Sequence, residues 1–138
     1  MRPADGQALT MTAPYRSSVH YQAFLQQLEG ANPVGTLVVV TDNASSHNSK
    51  STREWLAGHP RIQHTFIPVG ACWLNLQEGW WRLFRKAALA GQSFADTDEI
   101  DQATRVATTQ LNTSARPRIW GRPKPPTRTM RRRFEYRL

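Results

Sequence analysis

The chain has 138 residues, 39% of them apolar and 20% charged, which suits one domain and excludes both full disorder and a second core. No window approaches the roughly 18 consecutive apolar residues of a membrane span. The N-terminus lacks a secretory apolar run, and a single cysteine, Cys72, excludes an intrachain disulfide, so the expected location is the cytoplasm. The net charge of +8 is one-sided. Residues 1–115 hold nine Lys+Arg and nine Asp+Glu, whereas residues 116–138 hold nine Lys+Arg against Glu135 alone. A basic segment of this kind fits a polyanion, nucleic acid first, with a merely solvated tail as the alternative.

Taken in chain order, Asp5-Gly6 is a turn signal, and Ala8–Thr12 is expected to be a short strand leaving a hairpin. Ser17 and Ser18 can cap a helix with Tyr21, Phe24, Leu25 and Leu28 on one stripe, closed by Gly30. Thr36–Thr41 is a β-branched run without alternation, the pattern of a strand buried on both faces. Asp42 and Asn43 end it. Ser49 can cap a short helix carrying Trp55 and Leu56, with Ser51 and Glu54 spaced as a capping box, and His59-Pro60 stops it. Ile62–Ile67 is a further strand, closed by Pro68.

A loop from Val69 to Trp73 leads to a helix over about Leu76–Ala90, with Trp80, Leu83, Phe84 and Ala87 among its apolar positions and Gly91 at its end. Asp96 and Glu99 open a last helix whose stripe is Ile100, Ala103, Val106, Ala107 and Leu111. From Arg116 onward Pro and Arg dominate, and coil is expected apart from an extended piece near Phe134–Tyr136. The order β, α, β, α, β, α, α gives an α/β domain over residues 1–115, with a mixed sheet flanked by helices, followed by a basic tail over residues 116–138.

Functional groups in open α/β sheets collect beyond the carboxyl ends of strands. Asp42 lies at such an end, and Glu78 lies in the first turn of the Leu76–Ala90 helix, with 35 residues between them. Two carboxylates so placed can converge on a hard divalent cation, for which Mg²⁺ is suited, and metal-activated water cuts phosphodiesters. The residues also have structural readings. Asp-Asn after a strand is ordinary turn chemistry, and Asn75-x-x-Glu78 is spaced as a capping box. His47, taken alone, is as readily a solvated loop residue.

The string Val38-Val-Val-Thr-Asp42-Asn43-Ala-Ser-Ser-His47 resembles the D-N-x-x-x-H motif of mariner-like DDE transposases. The likeness continues through Ile67-Pro68, Leu74-Asn75-Leu76-Gln77-Glu78 and the aromatic-basic run Trp80, Trp81, Arg82, Arg85 and Lys86, and covers about residues 17–115. It implies a ribonuclease-H-like fold in which Asp42 is the second catalytic acid and Glu78 the third, both holding Mg²⁺ (or Mn²⁺). Asn43, His47 and Asn75 would be supporting groups. DNA, as transposon ends and target, would be the partner, met by Arg82, Arg85, Lys86, Arg131, Arg132 and Arg133, with a homodimer in the full-length relative.

The sequence departs from that pattern where Asn-Pro-Ile-Glu becomes Asn75-Leu76-Gln77-Glu78, and where the first acid has no counterpart. Asp5 lies in a turn rather than a strand. The resemblance therefore implies a C-terminal piece whose first strands are missing, with doubtful activity on its own. A non-catalytic nucleic-acid-binding remnant and a nuclease acting on RNA–DNA hybrids are the other readings. The excess of Arg over Lys, fifteen to three, is the composition of a GC-rich bacterial genome.

Overall fold

The computed structural model describes residues 1–71 and 77–117. Four helices and two strands follow one another: α1 (Ser18–Ala31), β1 (Leu37–Thr41), α2 (Lys50–Ala57), β2 (Ile62–Phe66), α3 (Gln77–Ala88) and α4 (Thr97–Thr113). Among the described residues no helix is long and apolar enough to cross a membrane.

Three helices begin where a side chain can accept the otherwise unpaired first N–H groups. Ser17 accepts from His20 N–H, Ser49 from Thr52 N–H, and Asp96 from both Asp98 and Glu99 N–H. The box expected at Ser51 and Glu54 is replaced by the Ser49–Thr52 pair, because the helix starts two residues earlier. Gly30 lies inside α1, and Asn32 caps it by turning its own N–H to Glu29 O. Past α3, Gly91 takes φ +71°, a left-handed conformation that L side chains adopt at a cost.

β1 and β2 run parallel, with Leu37 opposite Ile62, Val39 opposite His64 and Thr41 opposite Phe66. Arg61 fastens the start of this pair. Its guanidinium donates to Asn32 O and, at 3.0 Å, to Gly35 O, and meets Glu29 at 3.6 Å. One face of the pair packs beneath α1, whose Leu25 is fully buried.

Three expectations are corrected here. β1 is not buried on both faces: Val38 is 61% exposed, because no layer of the described residues covers the face it shares with Val40. The Ala8–Thr12 segment is extended but joins no sheet among the described residues. Its backbone is satisfied by a helix instead. Ala8 N–H donates to Asn112 Oδ1 at 2.8 Å, Asn112 Nδ2 returns a bond to Ala8 O at 2.9 Å, and the Thr10 and Thr12 hydroxyls pair with Thr108 and Asp101 of α4. The sheet of the described residues is consequently parallel and two-stranded rather than mixed.

The ladder leaves β1 with an open edge. Leu37 N–H donates to Arg61 O and Thr41 O accepts from Ile67 N–H. In a parallel ladder the bonding residues of one strand alternate, so Leu37, Val39 and Thr41 face β2, while the N–H and C=O of Val38 and Val40 face away from it. A cavity of about 300 Å³ opens along this edge, lined by Leu37–Val40, by Phe24 and Leu28, by Ala8 and Leu9, and by Gln77.

A second packing centre lies between α3 and α4. Trp80, Phe84 and Ala88 recur every four residues and bury one stripe of α3, with the Trp80 and Phe84 rings stacked at 5.1 Å. Ala107 meets them from α4, and Ala8 closes the cluster. The buried face of α4 is Thr104, Ala107 and Thr108. Ile100 and Val106, expected on the inner stripe, are exposed, because the face bearing Thr108 is drawn inward by its hydroxyl bond to Thr10.

Candidate active site

The site starts from the end of β1. Thr41 is its last residue, and residues 42–48 turn back at once to reach α2. Asp42 Oδ1 accepts Ala44 N–H at 3.3 Å, and Ala44 O accepts both His47 N–H and Asn48 N–H. Asn48 Nδ2 donates to Asn43 Oδ1 at 3.1 Å. Asn43 therefore braces the turn through its side chain rather than pointing to a ligand. Thr52, fully buried, donates to Ser46 O and locks the far side of the loop onto α2.

This turn lays His47 against Asp42. His47 Nδ1 is 2.8 Å from Asp42 Oδ1, 2.8 Å from Thr41 Oγ1 and 3.3 Å from Asp42 O. A carboxylate and a carbonyl can only accept, so Nδ1 carries the proton and donates. The imidazole is thereby fixed as the Nδ1–H form when neutral, with the Nε2 lone pair on its other side. Asp42 is 64% exposed at its side chain, and its hydrogen bonds among the described residues run through Oδ1. His47, at 21%, is largely covered.

Tyr21 and His64 complete the surroundings, and the sequence reading assigned neither a role. The Tyr21 ring lies against the His47 ring at 4.2 Å between centroids, tilted by 36°. Its hydroxyl is 2.6 Å from His64 Nε2. Burial pushes the Tyr21 phenol up to about 12, with the Asp42 charge adding to the rise and the Thr41 hydroxyl opposing it. Burial, and then the neighbouring His47, push His64 below the usual imidazole value. The phenol and the ring nitrogen share this one hydrogen bond, and its direction follows the His64 tautomer. A signal for His64 existed. It stands between Ile62 and Phe66 on the inward positions of an alternating strand, where an imidazole needs a partner.

Glu78 lies in the first turn of α3 and is exposed. Arg82 and Arg85 follow it at four and seven residues, on the same side of the helix, with Lys86 beside them. All three cations are exposed, and none forms an ion pair among the described residues. No hydrogen bond or ion pair joins Glu78 to the Asp42 turn. Gln77, immediately before Glu78, nevertheless lines the same cavity as Val40, two residues before Asp42. Asn75, Arg131, Arg132 and Arg133 lie outside the described residues.

Asp42 and Glu78 offer hard carboxylate oxygens of the kind Mg²⁺ or Mn²⁺ takes. Among the described residues, however, no three His, Cys, Asp or Glu side chains gather to hold a metal ion.

An α/β layer with an acid at the tip of a parallel strand, and a second acid opening a later helix beside that strand, is an arrangement for carboxylate-dependent chemistry. The chain belongs to the DDE superfamily endonuclease family, whose model matches residues 1–101. No curated protein shows significant similarity to the chain.

Proposed function

We propose that this chain supplies Asp42 and Glu78, with a DNA-facing basic surface, to the catalytic domain of a mariner-like DDE transposase of ribonuclease-H-like fold. The reaction would be phosphodiester cleavage and strand transfer in DNA transposition. The observation that carries the reading is the Asp42 turn. One carboxylate oxygen is tied down by His47 and Ala44 while the other is left outward, on a strand whose open edge shares a cavity with the start of the Glu78 helix. A surface carboxylate with no role beyond turn formation would not need an imidazole held against it by three acceptors.

The transposase pattern has a third acid, and among the described residues no third ligating side chain gathers with Asp42 and Glu78. The reading therefore places the chain within a larger catalytic domain, one that adds a further acid and covers the β1 edge. In that setting Mg²⁺ or Mn²⁺, held by Asp42 and Glu78 together with the added acid, would activate water and stabilise the leaving oxygen. His47 would keep Asp42 in one orientation. Arg82, Arg85, Lys86, Arg131, Arg132 and Arg133 would neutralise phosphates. Asn75 would support Glu78. A bacterial cytoplasm, the nucleoid when DNA is bound, and a homodimer of the larger enzyme belong to the same reading.

The shortage of donors favours a second reading, a nucleic-acid-binding protein that keeps the fold without catalysis. Plasmid nicking with Mg²⁺ or Mn²⁺ tests both. The 138-residue chain alone should bind DNA at low salt and leave the plasmid intact. Fused to a segment bearing the missing acid, it should nick, and Asp42→Ala or Glu78→Ala should abolish the nicking. Fusions that restore binding but never cleavage would favour the second reading. Failure of the chain to bind DNA at low salt would overturn both.

A further inference from the structure

Tyr21 and His64 are half-buried titratable groups that the proposed chemistry does not use. They come from two different elements, α1 and β2, and meet at one hydrogen bond of 2.6 Å. The Tyr21 ring then lies flat enough on His47 to restrict its rotation. His64 is itself fixed by the β2 register opposite Val39 and by an edge contact with Phe66 at 5.0 Å. The contacts thus run in series: β2 holds His64, His64 holds the Tyr21 hydroxyl, the Tyr21 ring holds His47, and His47 Nδ1 holds Asp42 Oδ1.

We infer that Tyr21 and His64 are positioning residues for Asp42. They clamp the His47 ring so that Nδ1–H stays on Oδ1, and Oδ2 remains the one oxygen presented outward. The inference rests on the reading of Asp42 as the functional carboxylate only for its purpose, and not for its geometry. Nothing in the clamp touches a ligand. It acts by removing alternatives: a free imidazole interchanges its two neutral forms and rotates about its side-chain bonds, and each rotation would release Asp42 to a different orientation. Orientation of a ligating or catalytic group by the partner's hydrogen bond is the general way such side chains are held.

Long-range ¹H–¹⁵N correlation of the imidazoles reads the neutral form of His47 directly, at a pH where His47 is neutral. The wild-type chain should show His47 as Nδ1–H alone. Tyr21→Phe keeps the ring and removes the anchor, and His64→Leu removes the partner of the hydroxyl, so both should lose the single-form signature. His64→Gln keeps a side chain that can accept or donate and should restore it. Backbone amide spectra that overlay on the wild type outside the site would show that each variant is folded, and Tyr21→Phe decides the matter if His64→Leu is not. A wild-type signature in Tyr21→Phe, or a His64→Gln that behaves like His64→Leu, would overturn the inference. Paramagnetic broadening of the Asp42 amide by added Mn²⁺ is a separate readout. Its absence from the fusion that bears the further acid would count against the metal reading while leaving the clamp intact.

Discussion

At the scale of single residues, the loop that carries Asp42 depends on a chain of hydroxyls. Ser18 donates to Ser49, Ser49 donates to Thr52, and Thr52 donates to Ser46 O, each at 2.8–2.9 Å. Bonds in series of this kind polarise one another, and each buried member left without its partner is costly. Thr52→Val preserves shape and deletes the middle of the chain. It should cost about 1–3 kcal/mol, read as a lower urea midpoint at unchanged slope. The Tyr21 phenol gives a second prediction. Its folded-state value lies near 12 against an ordinary 10, so the neutral form is the one the fold stabilises. That contribution is complete below pH 10 and is lost as pH rises toward 12. Followed by the tyrosinate ultraviolet band, one of the three tyrosines should ionise late, and Tyr21→Phe should remove that late step.

At the scale of elements, the caps dominate. Asp96 alone satisfies two N–H groups of α4, and it places a carboxylate at the positive end of a 17-residue helix. Asp96→Ala should cost about 1 kcal/mol, within the usual 0.5–2 range. Since α4 carries the bonds to residues 7–12, amide exchange should quicken there as well as in α4. These caps were legible in the sequence. Ser17, Ser49 and Asp96 start helices where their residue types say they should, because capping is local chemistry. The helix α3 was equally legible, its Trp80 and Phe84 spacing placing both in the core. The strands were less so. Thr36–Thr41 reads as doubly buried and is open on one face, and Ala8–Thr12 reads as a strand and bonds to a helix. In both cases the deciding fact is which neighbour is present, and that is set by residues far along the chain. The same holds at the site. Asp42 and His47 are five residues apart and share a motif, whereas Tyr21 and His64 reach them only through packing.

At the scale of the whole molecule, charge is separated from the fold. The described body is close to neutral, and the excess belongs to residues 116–138, almost all of them beyond the described residues. If those cations meet phosphates, DNA affinity should fall with salt at a slope of about −0.9 per phosphate neutralised. Removing residues 118–138 should flatten the slope by several units in filter-binding or fluorescence titrations, while Arg82→Ala and Arg85→Ala should each flatten it by about one. An unaltered slope after the deletion would assign DNA contact to the body alone.

The clasp between the N-terminal segment and α4 has a consequence for synthesis. Its bonds join residues 89 to 105 positions apart, and the backbone of Arg116 lies so close to Gly6 that a Cβ there would meet it at 2.1 Å. Residues 7–12 are therefore placed only after residues 101–112 have emerged. At about 5–20 residues per second they wait several seconds for their partner to emerge, and the α3 face bearing Trp80 and Phe84 waits with them. During that interval the nascent chain offers an apolar helix face to whatever is near. A chain stalled before Thr104 would keep offering it. Such a product should be held by chaperones or degraded, whereas α1, β1, α2 and β2, whose contacts are nearer in sequence, can already have come together.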